Sequence, residues 1–312
     1  MIISASRRTD IPTYYSNWFF NRIMDGYVLV RNPMNAHQIS KIALNPDVVD
    51  GIVFWTKNPI PMLNQLNVLR DYMYYFQFTL NSYAQDVETH VPNKQKHIIP
   101  AFKKLSDMIG PDRIIWRYDP IFLNDTYTPE YHIRYFERIA KELSPYTKKC
   151  TISFIDFYRN TSKNVSGLSL RDFPEETQKS LAKELAAIAH SYGLLIDTCA
   201  EGIELQEYGI EHARCIDDRL LSKLLDCPLD IGKDKGQRLE CGCIESIDIG
   251  AYNTCRNGCK YCYANYSEKT VCSNFAKHIP DSPLLFGEVG PDDKITERKV
   301  TSCKINQIRF DI

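Results

Sequence analysis

The sequence predicts an α/β protein built as a TIM-like (β/α)8 barrel or a partial barrel. Short apolar runs of strand type alternate with amphipathic segments, which is the pattern of a parallel sheet with covering helices. The runs are nearly continuous in aliphatic and aromatic residues, as in parallel strands buried on both faces. The chain has 312 residues, and such barrels typically occupy about 250. An open doubly wound sheet is the alternative.

Eight segments have the composition of barrel strands. They are residues 2–6, 27–31, 51–56, 74–80, 113–118, 150–155, 194–198 and, more weakly, 245–249. Apolar residues at helical spacing predict one helix over 129–143 and another that contains Leu181, Leu185 and Ile188. We assign residues 1–250 to the barrel. Residues 251–312 are expected to form a cysteine-rich loop and an irregular wrap, packed on the barrel as one unit.

Composition narrows the class of protein. The formal net charge of -1 gives no general attraction to nucleic acid. No run approaches the ~18 consecutive apolar residues of a membrane helix. Charged Arg7 and Arg8 follow an N-terminal run too short for a signal peptide. The sequence therefore predicts a cytoplasmic protein with no membrane contact.

The cysteines are concentrated in the second half of the chain. There are 11, none occurs before Cys150, and eight fall between Cys199 and Cys262. Disulfides are rare in cytoplasmic proteins, so this concentration predicts metal binding. Buried free cysteines also act as small apolar residues. We assign that role to Cys150, Cys227, Cys272 and Cys303.

Three cysteines, Cys255, Cys259 and Cys262, form a C-x3-C-x2-C loop with Tyr261 just before the last. Radical S-adenosylmethionine (SAM) enzymes hold a [4Fe–4S] cluster with this spacing. Three thiolates leave one iron without a protein ligand, whereas closed clusters and structural zinc sites usually have four. The loop therefore predicts a [4Fe–4S] cluster whose open position binds SAM.

Four further cysteines flank the last two predicted strands. Cys199 ends the strand at 194–198, Cys215 follows in the next loop, and Cys241 and Cys243 precede the strand at 245–249. We expect all four to reach one point on the barrel rim and to hold a second [4Fe–4S] cluster or a zinc ion. The alternative is that some of them are simply buried thiols.

Polar residues follow almost every predicted strand, and barrel active sites lie at the carboxyl ends of the strands. We expect a shared pocket there, in which guanidinium groups hold a carboxylate or phosphate. Aspartates would bind ribose hydroxyls, the SAM amino group or a substrate proton. The candidate catalytic residues are Arg7, Arg8, Asp10, Lys57, Asn58, Arg117 and Asp119, and the candidate cofactor-binding residues are Asn81, Asp156 and Tyr261. Alternatively, polar residues simply mark solvated strand ends.

Several blocks of this sequence resemble the bacterial family called domain of unknown function 1848. They are residues 6–12, 54–59, 116–121 and the closing cysteine-rich block. The resemblance covers almost the whole chain and implies an iron–sulfur or radical SAM-like protein, in a group placed loosely with spore photoproduct lyase-like proteins. Most radical SAM proteins have the cysteine loop near the N-terminus, and this chain has no Gly-Gly-Glu run after a second strand. The late loop is consistent with a circularly permuted barrel in which 245–249 replaces the usual first strand.

The leading hypothesis is a radical SAM-type enzyme. It would cleave SAM reductively to a 5′-deoxyadenosyl radical, which abstracts hydrogen from an unknown substrate. A reductant such as flavodoxin or ferredoxin would supply the electron. The alternatives are a two-cluster electron-transfer or redox-sensing protein, and a nucleic-acid-binding or repair protein with a structural cluster. The net charge does not support the last of these.

Overall fold

The computed structural model describes residues 1–157 and 159–305, without the side chains of residues 159 and 160. Its strands are β1 (Ile2–Ala5), β2 (Tyr27–Asn32), β3 (Asn35–Ala43), β4 (Gly51–Thr56), β5 (Tyr74–Thr79), β6 (Ile114–Ile121), β7 (Lys149–Phe154), β8 (Leu195–Thr198), β9 (Glu211–His212), β10 (Ile247–Asp248) and β11 (Lys294–Glu297). Its helices are α1 (Ile11–Tyr14), α2 (Ser16–Asp25), α3 (Ile60–Leu63), α4 (Ile99–Ile109), α5 (Pro129–Leu143), α6 (Arg159–Asn164), α7 (Glu175–Ser191), α8 (Asp218–Leu225) and α9 (Glu268–Phe275). The predicted α/β class is confirmed.

The main sheet has eight strands in the order β10-β1-β4-β5-β6-β7-β8-β9. Every neighbouring pair is parallel. The C-terminal strand β10 lies beside the N-terminal strand β1, where Ile3 is paired with Ile247. Within the described ranges β9 and β10 are not paired with each other, so the sheet has two edges. This architecture is compatible with a partial barrel.

Residues 27–31 form a strand, but the prediction that this strand belongs to the main sheet is wrong. It lies in β2, which pairs antiparallel with β3 in a separate three-stranded sheet completed by β11. Only two residues separate β2 from β3, and so short a connection joins antiparallel strands only. The eighth strand of the main sheet is instead the two-residue β9, which is too short to show a strand pattern in the sequence.

One face of the main sheet packs against helices α4, α5 and α7. Helix α5 has the predicted bounds because Thr128 caps it, accepting from Tyr131 N, and Pro129 occupies its first turn. Its Phe136 ring stacks on Trp116 of β6 with the centroids 4.8 Å apart. The buried periodic face of the helix therefore explains both its position and its length.

The opposite face of the sheet is covered by part of the segment between β8 and β10. The sheet contributes Ile2, Val53, Tyr75 and Ile115 to this second apolar cluster. The covering segment contributes Ala200, Cys215, Ile216, Leu221, Cys241, Cys243 and Ile244. Alternate residues of each strand thus face two different layers, and four of the cysteines lie in or beside the second one.

Residues 251–305 are more regular than the predicted wrap, because they contain α9 and β11. The Trp18 indole donates to the carbonyl oxygen of Ser282 at 2.9 Å, which ties this segment to α2. The last seven residues of the predicted wrap, 306–312, lie outside the described residues, and the division at residue 250 stays a prediction. In the described part of the chain, no helix has both the length and the apolar character to span a membrane.

Candidate functional site

The cysteine loop begins at the carboxyl edge of the main sheet. Strand β10 leads into it, and the Asp248 carboxylate accepts from Ser6 Oγ at 2.6 Å and from Arg7 N at 2.9 Å. Gly250 lies so close to Ser6 that any side chain there would collide with it. The exits of β10 and β1 are therefore held together, and the loop starts where parallel sheets place their functional residues.

The backbone of the loop packs on residues 87–90, between β5 and α4. Asn257 O accepts from His90 N at 3.0 Å, and Lys260 N donates to Val87 O at 2.9 Å. Gly258 has a φ of +66°, and a Cβ added there would lie 2.8 Å from His90 Cδ2. Only glycine fits this turn without strain. The loop conformation thus depends on a segment about 170 residues earlier in the chain.

Asp10 joins three segments of the site. Its carboxylate accepts from Thr13 N at 3.0 Å, Thr56 Oγ1 at 2.8 Å, Lys57 N at 2.8 Å and Asn257 Nδ2 at 3.0 Å. Burial raises the pKa of Asp10, although these hydrogen bonds oppose the rise. The predicted catalytic residue Asp10 therefore connects the exits of β1 and β4 to the cysteine loop.

Glu88 lies at the centre of a buried charge cluster. Its side chain is 1% exposed and its Oε1 is 2.7 Å from Lys57 Nζ. It also pairs with Lys94 and accepts from the Tyr261 hydroxyl. Burial raises the pKa of Glu88, but the two lysines outweigh burial and lower the pKa to about 2. Glu88 is thus a carboxylate that ties two cations to the cysteine loop.

Sequence reasoning missed Glu88 and Lys94. Neither stands directly at the end of a strand of the main sheet, because Glu88 lies nine residues after β5 ends at Thr79, and neither belongs to a cysteine motif. Their sequence neighbourhood is polar and has no periodicity, so no signal marked them. Lys57, by contrast, was predicted. Burial lowers the pKa of Lys57, but the charge of Glu88 outweighs burial, so the pKa is raised.

Asn81 links the exits of β5 and β6 to the loop. Its Oδ1 accepts from Asp119 N at 2.8 Å, and its Nδ2 donates to Asp119 O at 2.8 Å. The same Nδ2 lies 3.2 Å from the Tyr261 hydroxyl. The predicted residues Asn81, Asp119 and Tyr261 therefore belong to one hydrogen-bonded network.

Arg117 extends this network across the sheet. Its guanidinium binds Asp119 Oδ2 through Nε at 3.0 Å and Nη2 at 2.5 Å. Its Nη1 lies 2.8 Å from Cys215 Sγ. The side chain is 4% exposed and stacks over Trp55. Arg117 thus contacts one of the four cysteines near β8 while its partner Asp119 contacts the network of the loop.

The three thiols of the loop are partly buried. Burial raises the pKa of Cys255, Cys259 and Cys262, and the charge of Lys57 opposes the rise at Cys259 and Cys262. Thiols bind metals as thiolates and lose their protons on binding. Three cysteines with a neighbouring ammonium group therefore suit an iron–sulfur cluster by the chemistry of their donors.

The four cysteines near β8 also come together. Cys215 Sγ lies 3.1 Å from Cys199 Sγ, and Cys243 interacts with both Cys215 and Cys241. A disulfide has its sulfurs about 2.05 Å apart, so these are free thiols in contact. Across residues 1–157 and 159–305, no three His, Cys, Asp or Glu side chains already surround a point suited to a metal ion. Metal binding by either cysteine group therefore stays a prediction.

The other predicted residues have separate partners. Arg7 donates to Ser246 Oγ at 3.1 Å, and its backbone oxygen accepts from Tyr263. Arg8 lies 5.1 Å from the centroid of the Tyr252 ring. Asn58 Oδ1 accepts from Ile60 N at 3.2 Å, as in a helix-capping turn, and Asp156 pairs with Arg238 at 2.6 Å. Arg7 is thus close to the loop, whereas Asn58 shapes a turn and Asp156 forms a half-exposed ion pair.

A family model described as "Domain of unknown function (DUF1848)" matches residues 2–264. The match includes the main sheet and both groups of cysteines. No curated protein matches the chain. Since the family model covers well over half of the sequence, the chain belongs to the DUF1848 family.

Proposed function

We propose that this member of the DUF1848 family is an iron–sulfur enzyme of the radical SAM type. Cys255, Cys259 and Cys262 would hold a [4Fe–4S] cluster with one iron left open for SAM. The observation that carries the proposal is the position of the C-x3-C-x2-C loop, which leaves the carboxyl edge of an eight-stranded parallel sheet.

The order of the strands supports a circularly permuted barrel. Strand β10 is the last strand of the sheet in sequence but the first in space, followed by β1, β4, β5 and β6. A loop that follows β10 therefore has the spatial position of a loop that follows a first strand. This accounts for a cysteine motif so late in the chain.

The cluster, when bound, would supply the electron for reductive cleavage of SAM. The chain's own residues have a positioning role. The Glu88–Tyr261 and Asp10–Asn257 hydrogen bonds anchor the loop at two points. The ammonium group of Lys57 favours the thiolate forms of Cys259 and Cys262 that bind iron. A reductant such as flavodoxin or ferredoxin remains part of the proposal.

The test is anaerobic reconstitution with iron and sulfide, followed by titration with SAM. We expect wild-type protein to change its reduced EPR spectrum on adding SAM and to release 5′-deoxyadenosine with a strong reductant. The triple variant Cys255→Ala, Cys259→Ala, Cys262→Ala should lose both responses. Cys272→Ala is the matched control, because Cys272 is exposed; its predicted role as a buried apolar residue is wrong. Stoichiometric zinc in place of iron at the loop would refute the proposal.

A two-cluster electron-transfer protein is the second candidate. The contact between Cys199 and Cys215 favours it, because a second group of thiols lies beside the network of the loop. The same EPR titration separates the two functions. A protein with a full cluster content and no response to SAM would support electron transfer.

A further inference from the structure

The four cysteines near β8 come from three separate parts of the chain. We infer that Cys199, Cys215, Cys241 and Cys243 form a second metal centre, in which four thiolates hold a thiophilic metal as zinc or as an iron–sulfur cluster. Four protein ligands leave no open position. Such a centre would be structural or electron-carrying, and it would not bind SAM. This inference does not depend on the function proposed for the loop.

One pair of sulfurs in the group lies near the separation found in a metal site. Four thiolates around zinc, with Zn–S bonds of about 2.3 Å, stand roughly 3.8 Å apart. Cys199 Sγ and Cys215 Sγ are 3.1 Å apart, and Cys241 interacts with Cys243, Cys199 and Cys215. Loading a metal thus requires the loss of thiol protons and a rearrangement of the thiols, because no three metal-binding side chains of the described residues already surround one point.

The backbone around these thiols is fixed by side chains of the sheet. The carbonyl oxygen of Cys215 accepts from Tyr75 OH and from Gln77 Nε2, each at 2.7 Å. Ile216 N donates to Cys243 Sγ at 3.4 Å. Hydrogen bonds of this kind to ligand residues and their sulfurs are what orient and tune a metal site.

Gly242 allows the two cysteines beside it to reach the others. A Cβ at this position would lie 3.0 Å from Ala213 O and 3.0 Å from Arg214 Cγ. A larger residue would push the C-x-C turn away from Cys215. The glycine of this turn is therefore a packing requirement of the four-cysteine group.

Arg117 supplies a counter-charge. Its Nη1 is 2.8 Å from Cys215 Sγ, and Arg7 also interacts with Cys243. Four thiolates carry two more charges than Zn²⁺ neutralises, so two arginines beside them suit a metal-bound state.

Disulfide formation explains the group less well. One disulfide between Cys199 and Cys215 would leave Cys241 and Cys243 without a role. Three of the four thiols are buried, which limits access for an oxidant. A bound metal would use all four cysteines, including Cys199 and Cys243, which are farthest apart in sequence.

The experiment uses the triple loop variant, with Cys255, Cys259 and Cys262 changed to alanine, as background. Any metal retained after anaerobic purification then belongs elsewhere in the chain. We expect about one zinc per chain, or iron and acid-labile sulfide in equal amounts. Adding Cys215→Ser should reduce this metal at least tenfold, whereas adding Cys272→Ser should leave it unchanged. Either zinc or iron in the triple loop variant would support a second metal centre. A triple loop variant without metal would overturn the inference.

Alkylation of wild-type protein gives a second readout that needs no substitution. Under anaerobic conditions Cys272 should react with iodoacetamide at once, since it is exposed. In urea, where burial no longer protects them, Cys199, Cys215, Cys241 and Cys243 should become labelled only after a chelator has removed the metal. A Cys199–Cys215 disulfide in anaerobically prepared protein, or protection that a chelator leaves unchanged, would contradict the inference. Neither result would bear on SAM binding at the loop.

Discussion

The three-cysteine loop and the four-cysteine group differ in how the chain brings their thiols together. The loop places three cysteines within eight residues, from Cys255 to Cys262. The four-cysteine group draws on three segments, and Cys199 and Cys243 lie at its two ends in sequence. The loop cysteines are neighbours in sequence and need tertiary packing on residues 87–90 only to fix their turn, whereas the thiols of the distant group meet only once the sheet has formed. We therefore expect damage to the sheet to affect the four-cysteine group more directly.

The two groups also differ in their charged neighbours. Carboxylates anchor the loop, through Asp10 and Glu88. The other group has a guanidinium, that of Arg117, against Cys215. Hydrogen bonds connect the two through Arg117, Asp119 and Asn81. Substitutions at the two ends of this hydrogen-bonded connection should therefore affect one group of cysteines more than the other.

The largest expected effect on the free energy of unfolding is that of Glu88→Ala. This substitution leaves Lys57 and Lys94 buried without their partner. Loss of one member of a buried ion pair typically costs about 3–5 kcal/mol of stability. Urea unfolding monitored by circular dichroism would measure the change. The control is Glu142→Ala, which removes the partner of Lys103 from a pair that is partly exposed. A surface pair contributes about 0–1 kcal/mol, so equal losses in the two variants would contradict the role of Glu88.

The pH dependence of Glu88→Gln sharpens this result. The pKa of Glu88 is lowered from 4.5 to about 2. A carboxylate with a lowered pKa contributes stability that is full above its unfolded pKa and is lost as the pH falls through the folded pKa. The difference in unfolding free energy between wild type and variant should therefore be largest above pH 4.5 and shrink towards pH 2.

Asp10→Asn is the matched comparison, and its effect on stability should change with pH in the opposite direction. Burial raises the pKa of Asp10, so its charged form costs stability above the ordinary value of 3.8. Wild type should gain stability relative to this variant as the pH falls. If Glu88→Gln and Asp10→Asn showed the same trend with pH, the pKa values of Glu88 and Asp10 would not be shifted in opposite directions.

The sequence predicted the elements that depend on nearby residues. Helix α5 was predicted over its full length because its apolar period is a local feature, and the cap at Thr128 that the structure shows is local as well. Residues 27–31 were predicted as a strand, but not their sheet. That choice depends on β3, where only Ile39 and Ile42 are buried aliphatic residues among polar ones. A strand with so few apolar residues gives a weak signal.

In the candidate site, too, the sequence predicted what local position determines and missed what depends on distant contacts. Lys57, Asn81 and Asp119 were predicted because carboxyl ends of neighbouring parallel strands meet at one edge. Asn58 and Asp156 satisfy the same rule and yet have other partners. Glu88 enters the site through tertiary packing of a loop, and no local pattern encodes that. Strand exits therefore locate the edge of the sheet, and only the fold decides which side chains meet.

A moderate effect is expected from Gly258→Ala in the cysteine loop. Alanine would have to adopt a φ of +66° with its Cβ 2.8 Å from His90 Cδ2. A strained backbone of this kind costs on the order of 1–3 kcal/mol, and iron retained after reconstitution should fall with it. Gly232→Ala is the control, since a Cβ there meets nothing within 4 Å. A double variant with His90→Ala should recover part of the loss, and no recovery would mean that the collision with His90 is not its cause.

The smallest effect is expected from Asp156→Asn. Asp156 and Arg238 are 42% and 38% exposed, so their ion pair should contribute less than about 1 kcal/mol. Salt screens exposed pairs, and 1 M sodium chloride should abolish the difference in urea unfolding between variant and wild type. Asp156 is also a predicted cofactor-binding residue, which SAM titration of the reconstituted protein tests separately. An unchanged affinity would assign Asp156 to its ion pair alone. A tenfold loss of affinity with unchanged stability would show that the exit of β7 belongs to the site of the cysteine loop.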